Sequence, residues 1–512
     1  MATTTLLSAN VSGFRAERVD VEVDMTTGTS AFRIVGLPDK AVEEARERVS
    51  AAVANTNADP PKHLNSAITV NLAPADTKKH GTWFDLPIAL AFLLESKQLY
   101  RADAGQTLLA VGELSLGGEL KRVSGIIAAA ALAKELGATL IIPRANLDEA
   151  RLVEGLAIIP ADSLSHAMQQ LESGADPVIG DGLAGAAAGN AASDFDFGFI
   201  RGQEQAKRAM EIAAAGRHNV LLIGAAGTGK TLLARAMPTI MPQLLQEEML
   251  EATTIWSIGG LLHDEHPLIT EAPFRAPHHS ASRAALVGGG SGRAVPGEVT
   301  LAHRGVLFLD ELPEFPRHVL EALRQPIEDG IVTVSRAEGS TTYPARFLLL
   351  AAQNPCPCGN ALDEERMCIC SAGEIARYER RVSGPILDRI DLVVSVPRIA
   401  FDELRGDTAC ESSADVRARV AAARQRQTAR FAGEAFSTNA EMRTQDVSKI
   451  CTLDAQAEAL LKQAHDKFEL SPRGVTRILK VSRTIADLAG SETIEQTHLA
   501  EAIQYRHEVR EA

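Results

Sequence analysis

The segment "GAAGTGKT", residues 224–231, has the composition of a phosphate-binding turn. Its three glycines let the backbone fold closely and direct N–H groups at phosphate oxygens. An apolar run precedes the turn and a helical pattern follows it, so the positive end of a helix dipole would face the phosphates. Lys230 can reach the β- and γ-phosphates, and Thr231 can offer its hydroxyl to Mg²⁺. The segment predicts an ATP·Mg²⁺ site contacted by Gly224, Ala225, Ala226, Gly227, Thr228, Gly229, Lys230, Thr231 and Leu232.

Two later strand ends carry polar groups that suit phosphoryl transfer. Asp310 and Glu311 end the apolar run in "GVLFLDELPEF". Asp310 would hold Mg²⁺ through its water shell, and Glu311 would polarise the attacking water as general base. Asn354 ends "ARFLLLAAQN", where its amide would orient that water. Taken alone, these residues suit strand-end turns or a helix cap equally well, but the phosphate-binding turn favours catalysis.

Two arginines complete this candidate set. Arg389 lies in "GPILDRIDLVVSV", and Arg473 lies in "SPRG" at the start of a helical pattern. A guanidinium can meet the charge that develops on a transferred phosphoryl group. The alternative is that each arginine forms an ordinary surface ion pair.

Four cysteines follow Asn354 with the spacing C-x-C-x₉-C-x-C. Four thiolates close in sequence suit tetrahedral Zn²⁺ in a structural site, although C-x-C is tighter than the usual C-x-x-C. The alternative is four reduced thiols in a loop. The spacing predicts one zinc ion, in addition to Mg²⁺, held by Cys356, Cys358, Cys368 and Cys370.

Two segments are candidates for contact with DNA. The long insertion before Asp310 contains more basic than acidic residues, including Arg275, Arg283 and Arg293, and a predicted β-hairpin carries Arg336. Such loops could grip a phosphate backbone, or they could serve packing and contacts between subunits. The adjacent His278 and His279 lack metal-ligand spacing, which favours a structural or nucleotide-contacting role.

Composition limits the kind of protein that carries these motifs. The chain has 512 residues, 45% of them apolar, with a net charge of −14. This length predicts two or three domains, and the acidic balance restricts DNA binding to a local basic surface. We expect no signal peptide, because Met1 to Ala9 lack a basic region followed by a long apolar run, and no apolar run is long enough to predict a transmembrane helix. Six cysteines do not predict a disulfide framework. We expect a cytoplasmic protein with no membrane partner.

Patterning along the chain divides it into four parts. Residues 1–171 alternate strand and helix patterns, and residues 172–197 form a flexible linker rich in Gly, Ala and Asp. Residues 198–400 carry the nucleotide motifs on an α/β core that contains the 356–370 cysteine insertion, and residues 401–512 read as a helical lid. The predicted fold class is therefore α/β.

The order of these motifs resembles the AAA+ ATPases of the magnesium-chelatase-like branch. More narrowly, "PFRAPHHSAS", "AHRGVLFLDELPEF", "AAQNPCPCG" and "RYERRVSGPILDRIDL" are similar to the bacterial ComM/YifB family. The resemblance implies a homohexameric ring in which Arg389 reaches a neighbouring ATP and Arg473 is a second sensor. It also implies a branch-migration helicase that acts on single-stranded or branched DNA during natural transformation.

The first part resembles the proteolytic domain of Lon proteases, a ribosomal S5-like α/β fold, through "GELSLGGELKRVSGI". That chemistry needs a serine with a lysine base. Trp83 stands near the expected nucleophile and Lys134 lies too far along the chain, so we expect a non-proteolytic relative.

Two other functions stay open at this point. One is metal insertion as in magnesium chelatase, which needs partner subunits. The other is ATP-driven protein remodelling with the first domain as an adaptor.

Overall fold

The structure is a computed structural model, and it describes residues 4–103, 105–182, 195–262, 267–289, 295–336, 339–363, 366–399, 410–434 and 436–511. It contains a large mixed sheet near the N-terminus, a smaller parallel sheet in the middle and a group of helices at the C-terminal end. The predicted α/β class is confirmed. Within the described residues, none of the helices combines the length and apolar character needed to cross a bilayer.

The N-terminal sheet has eight strands in the order β10-β9-β8-β5-β1-β2-β4-β3, with β6 and β7 forming a separate small pair. Strands β2 and β4 alternate buried and more exposed positions, whereas β5 and β8 are buried along their whole length. The strands of this part are β1 (Thr4–Ser12), β2 (Arg15–Thr27), β3 (Ala31–Val35), β4 (Ser66–Ala73), β5 (Leu108–Ala110), β6 (Glu113–Leu114), β7 (Leu120–Lys121), β8 (Thr139–Pro143), β9 (Ala157–Ala161) and β10 (Val178–Ile179).

Strand β10 lies inside the segment predicted to be a linker. Val178 and Ile179 pair antiparallel with β9, and the Gly180 N–H donates to the carbonyl of Leu156. The composition of residues 172–197 hides this strand, because two residues are too few to show a period. Residues 183–194 of the predicted linker lie outside the described part of the chain.

The central sheet has five parallel strands in the order β12-β13-β16-β11-β17. Their apolar runs are buried because helices cover both faces of a parallel sheet. An antiparallel hairpin, β14–β15, stands apart from it. The strands are β11 (Val220–Ile223), β12 (Phe274–Arg275), β13 (Val306–Leu309), β14 (Ile331–Arg336), β15 (Gly339–Pro344), β16 (Leu348–Gln353) and β17 (Leu392–Ser395).

The helices cover the two sheets and form the C-terminal group. Those of the N-terminal part are α1 (Lys40–Ala54), α2 (Asp85–Glu95), α3 (Ile126–Glu135), α4 (Leu147–Ala150) and α5 (Leu164–Ser173). Those of the central part are α6 (Glu204–Gly216), α7 (Lys230–Ile240), α8 (Gln246–Ile258), α9 (Arg283–Val287), α10 (Glu298–Leu301), α11 (Arg317–Glu321), α12 (Arg324–Asp329), α13 (Ala372–Glu379) and α14 (Gly384–Leu387). The C-terminal helices are α15 (Ser413–Arg430), α16 (Thr444–Ile450), α17 (Ala455–Phe468), α18 (Pro472–Ala489) and α19 (Gln496–Glu511).

The C-terminal helices share one hydrophobic core with the central sheet. Apolar side chains of α15, α18 and α19 are buried together with those of α6, α7 and β17. The predicted start of α18 is confirmed: the Ser471 side chain accepts from the Gly474 N–H, and Pro472 is the first helical residue. This cap holds the predicted sensor Arg473 in the first turn of α18.

Candidate nucleotide site

The phosphate-binding turn joins the carboxyl end of β11 to the N-terminus of α7. Gly227 and Gly229 adopt φ angles of 81° and 94°, in the left-handed region that glycine tolerates best. At Gly224 a Cβ atom would lie 2.4 Å from the carbonyl oxygen of Val396. The backbone N–H groups at this end of α7 are therefore placed to face an anion.

Lys230 is buried within the turn. Its Nζ donates to the carbonyl oxygens of Gly224 and Ala225 at 2.6 and 2.8 Å, and to Asn354 Oδ1 at 3.2 Å. Burial lowers the pKa of Lys230, while Asp310 and Glu311 act in the opposite direction. The ammonium group thus lies between the turn and the polar end of β16, where a triphosphate would pass.

The acidic pair reaches the turn from the carboxyl end of β13, which β16 separates from β11 in the sheet. Asp310 Oδ2 accepts from the Thr231 hydroxyl at 2.8 Å, and Asp310 Oδ1 accepts from the Glu311 N–H at 2.9 Å. A hydroxyl and a carboxylate side by side are oxygen ligands of the kind Mg²⁺ prefers. Glu311 lies beyond them with its side chain about half exposed, as a general base facing solvent would be.

Two further residues contact this site, and motif reasoning did not place them. His279 Nδ1 lies 3.3 Å from Glu311 Oε2, and its ring lies against His278. Gln203 Nε2 donates to the carbonyl oxygens of Thr228 and Pro397 at 3.4 and 2.6 Å. The sequence suggested a nucleotide contact for the adjacent histidines but not which residue they would meet. Nothing in the sequence indicated a role for Gln203.

Arg389 and Arg473 lie together, away from Lys230. Both guanidinium groups pair with Glu328 of α12, Arg389 through Nη2 and Arg473 through Nη2 at 2.9 Å. The hydrogen bond from Arg389 is the main reason that the pKa of Glu328 is lowered. The two predicted arginines therefore form one cluster with a shared carboxylate.

This cluster lies at the amino ends of the parallel strands (the amino edge of the sheet), whereas the phosphate-binding turn lies at their carboxyl ends (the carboxyl edge). Asn219, directly before β11, donates from Nδ2 to the carbonyl oxygen of Arg389 at 2.9 Å, whereas Lys230 follows the other end of that strand. A strand of four residues spans roughly 13 Å. The geometry does not bring Arg389 to the phosphate-binding turn of its own subunit.

The four cysteines converge. Their sulfur atoms all lie within 4.8 Å of one another, and the Sγ of Cys356 is 3.3 Å from Cys358 and 3.7 Å from Cys368. A tetrahedron of Zn–S bonds of about 2.3 Å places sulfurs about 3.8 Å apart. Backbone N–H groups of Asn360 and Ile369 lower the pKa of Cys358 to about 6, which favours the thiolate ligand.

The cysteine loop is close to the nucleotide site. A Cβ atom at Gly359 would lie 3.8 Å from the backbone nitrogen of Ala226 in the phosphate-binding turn. Arg398, after β17, pairs with the buried Asp363 of the same loop at 2.6 Å. The cluster is thus part of the wall next to the nucleotide.

The four candidate DNA-contacting arginines differ in their surroundings. Arg275 is engaged inside the protein, since it pairs with both carboxylate oxygens of Glu298 and lies over the ring of Trp256. Arg283 is exposed at the first position of α9. Arg293 lies outside the described residues, and Arg336 ends β14 at the tip of the hairpin. The geometry leaves Arg283 as the best-supported candidate.

The comparisons with known proteins cover nearly the whole chain. Family profiles described as "Subunit ChlI of Mg-chelatase", "Magnesium chelatase, subunit ChlI" and "Magnesium chelatase, subunit ChlI C-terminal" match residues 21–146, 196–404 and 410–506. Competence protein ComM of Haemophilus influenzae is 43% identical over 97% of this chain and 96% of its own length. Uncharacterized protein YifB of Escherichia coli is 42% identical over 96% of this chain and 95% of its own length.

The chain belongs to the ComM/YifB family of magnesium-chelatase-like AAA+ proteins. An uncharacterized protein of Mycobacterium tuberculosis is similar over the same extent, at 41% identity across 99% of both chains. The predicted family is confirmed, and membership of it fits the convergence of Lys230, Thr231 and Asp310. The family implies the use of ATP and Mg²⁺, for which these residues supply an ammonium group, a hydroxyl and a carboxylate.

Proposed function

We propose that this protein is an ATP hydrolase that works as a ring, a homohexamer, and moves on single-stranded or branched DNA. The observation that carries the proposal is the meeting of Lys230, Thr231, Asp310 and Glu311 around one helix N-terminus. Thr231 and Asp310 would hold Mg²⁺, which would supply positive charge next to the phosphates. Lys230 would bind the β- and γ-phosphates, Glu311 would orient and deprotonate the water, and Asn354 would hold that water in line.

The position of the arginines supports the proposed ring. A phosphoryl transition state needs a positive group near the γ-phosphate, and Arg389 lies at the far edge of the sheet. In a ring of identical subunits, the amino edge of one sheet can face the nucleotide of the next subunit. Arg389 and Arg473 would then act on a neighbour's ATP, after exchanging Glu328 for phosphate oxygens.

DNA is the proposed substrate because of the family and the exposed basic helix start. The Haemophilus influenzae relative is named a competence protein. Arg283 is exposed within the insertion that precedes Asp310, and a ring would bring several copies of it to one DNA strand. The activity would be branch migration that helps incoming single-stranded DNA to integrate during natural transformation.

The remaining parts of the proposal concern structure. The four cysteines would hold one Zn²⁺ that stabilises the loop beside Ala226. Residues 1–171 would be a Lon-like domain without proteolytic activity: Trp83 is buried near the expected nucleophile, and Lys134 is exposed on α3. Residues 198–400 would be the ATPase core, and residues 401–512 its lid.

The test measures ATP hydrolysis by the purified full-length protein. Lys230→Ala should abolish turnover, and forked or single-stranded DNA should stimulate the unaltered protein. Arg283→Ala should reduce that stimulation while basal turnover stays unchanged, and Arg317→Ala is the matched control because Arg317 is an exposed arginine at the start of another short helix. Stimulation by an unfolded protein and not by DNA would favour protein remodelling. Full turnover in Lys230→Ala would end the proposal.

A further inference from the structure

A cavity of about 610 Å³ opens between the central sheet and the C-terminal helices, at the amino edge of the sheet. Its walls carry seven Arg or Lys side chains and four Asp or Glu side chains. Arg389 and Arg473 are among them, but no residue of the phosphate-binding turn is. The cavity is therefore separate from the nucleotide site of its own subunit, and it has an excess of positive charge.

Arg217 is a wall residue of this cavity and has incomplete hydrogen bonding. Its side chain is 6% exposed, and its Nε and Nη1 atoms have no hydrogen-bond partner. The nearest carboxylates are Glu441 at 3.7 Å and Glu248 at 3.9 Å, too far for hydrogen bonds. A buried cation with unpaired donors lowers the stability of the folded protein. A ligand with several acceptor oxygens could accept hydrogen bonds from these donors.

Other cations of the wall also have incomplete hydrogen bonding, although Arg389 pairs with Glu328 and Arg477 lies 3.7 Å from Asp391. Arg477 donates to the carbonyl oxygen of Ile390 at 3.2 Å, and Lys480 donates to that of Ala440 at 2.8 Å. Burial lowers the pKa of both, that of Arg477 to about 10. Arg389 is buried as well, and its Nε has no partner. The wall thus carries buried donors without a hydrogen-bond partner on both Arg217 and Arg389, in addition to its excess of cationic side chains.

We infer that this cavity is a phosphate-binding site in which Arg217 is the innermost ligand. Guanidinium groups bind phosphate through charge-assisted hydrogen bonds from a planar fork of donors, and the unpaired Nε and Nη1 donors of Arg217 would be available to phosphate oxygens. The volume falls within the usual range of about 300–1,000 Å³ for small-ligand sites. The ligand is a di- or triphosphate group, either on a free molecule in solution or on the nucleotide of a neighbouring subunit.

The first experiment uses the full-length Lys230→Ala protein, in which the nucleotide site is disabled. The protein is kept at concentrations where it is monomeric. Pyrophosphate is the probe, and binding is measured by calorimetry and by the shift in the thermal unfolding midpoint. Adding Arg217→Gln should weaken binding at least about tenfold, because a charged hydrogen-bonding group is lost. Adding Arg317→Gln, which alters a distant exposed arginine, should leave it unchanged.

Folding of the variants is checked by circular dichroism. Arg217→Lys is measured as well, because it keeps the charge and loses the two-pronged geometry. It should fold like the parent protein and bind pyrophosphate with intermediate affinity. If Arg217→Gln does not fold, equal binding by Arg217→Lys and the parent overturns the inference.

The second experiment identifies the source of the phosphate, and it alone rests on the proposed ring. ATP-dependent assembly is followed by analytical ultracentrifugation in protein with an intact Lys230. If the neighbouring subunit supplies the phosphate, Arg217→Gln should abolish ATP-dependent assembly while Arg317→Gln retains it. This result is expected even if the dilute, monomeric protein does not bind pyrophosphate. Binding of pyrophosphate without any assembly would support a free ligand and count against the ring. No effect of Arg217→Gln in either experiment overturns the inference.

Discussion

Glu311 has an unusual backbone conformation for its position. It follows the last residues of β13 with a φ of 51°, in the left-handed region, where a non-glycine residue carries strain of order 1 kcal/mol. That conformation carries the chain away from the sheet and leaves the carboxylate next to His279. The side chain is thus directed by local backbone geometry and by one partner outside the motif.

We predict that Glu311→Gln lowers kcat for ATP hydrolysis by at least about 100-fold while ATP binding is retained, because the general base is lost and the shape is kept. His279→Asn should lower kcat with little change in KM, since His279 acts by positioning Glu311. The double variant should be no slower than Glu311→Gln alone. Additive losses would show that His279 acts independently of Glu311.

His303 is a buried histidine whose two ring nitrogens have opposite roles. Nδ1 accepts the Arg346 N–H at 2.9 Å, so the proton is assigned to Nε2, which lies 3.1 Å from Glu251. If Nδ1 also carried a proton, it could no longer accept the Arg346 N–H, and the two protons would face each other. Burial is the largest cause that lowers the pKa of His303 to about 4.

We predict that acid destabilises this part of the protein through His303. Its folded pKa is below the unfolded value of 6.5, so the unfolded state takes up the proton first as pH falls. The stabilisation is complete above pH 6.5 and is lost between pH 6.5 and about 4, by up to about 3 kcal/mol. Midpoints of thermal unfolding across this range should fall more steeply for the unaltered protein than for His303→Asn. Parallel curves would contradict the assignment.

Helix α8 connects the two sheets. The Ser257 hydroxyl donates to Glu149 at 2.8 Å and accepts the Gly125 N–H at 3.0 Å, both in the N-terminal part. On the other side, the Trp256 indole donates to the carbonyl oxygen of Leu301. The same helix carries Glu251, the partner of His303. One helix therefore forms hydrogen bonds with both the N-terminal part and the central part.

The cysteine loop is the element for which we predict a measurable metal effect. Purified protein should carry about one zinc per chain by elemental analysis. Removal of zinc by a chelator, or Cys356→Ser, should raise the KM for ATP, because the loop supports Ala226 of the phosphate-binding turn. Cys451→Ser is the control, since Cys451 is a buried thiol outside the cluster. Folded protein with no metal and an unchanged KM would contradict the zinc assignment.

At the scale of the whole molecule, the groups that we propose for catalysis are divided between the two ends of the parallel strands. Lys230 and Asp310 are at the carboxyl ends, whereas Arg389 and Arg473 are at the amino ends with Glu328. In the proposed ring, one subunit would therefore offer half of a site on each side. Completion by a neighbour would couple hydrolysis to assembly.

We predict complementation in trans. Lys230→Ala and Arg389→Ala proteins should each be inactive alone, the second by about 1,000-fold, because an arginine finger contributes on that order. Mixing them should restore part of the activity, since an intact Lys230 site can then meet an intact Arg389 from the other subunit. Specific activity of the unaltered protein should also rise with concentration. Inactive mixtures would exclude a trans role for Arg389.

The sequence by itself determined the family, the α/β class and the identity of the phosphate-binding turn. These depend on local patterns: glycine spacing, an apolar run before a helix, and carboxylates at a strand end. The start of α18 was also predictable, because Ser471 and Pro472 act within one helical turn. The four cysteines were predictable as a group, because fifteen consecutive positions contain them all.

Only the tertiary structure decided which of these groups meet. Strand order places β16 beside β11 and β13 on the far side of β16. This brings Asn354 and Asp310 to the turn that holds Lys230, although the chain separates them from it by up to 124 positions. It also places Arg389 at the amino ends of the strands, opposite Lys230. The pairing of Arg275 with Glu298 depends on the short strand β12. Long-range pairing arises from the packing of the whole sheet, and no local pattern specifies which charged side chains it brings together.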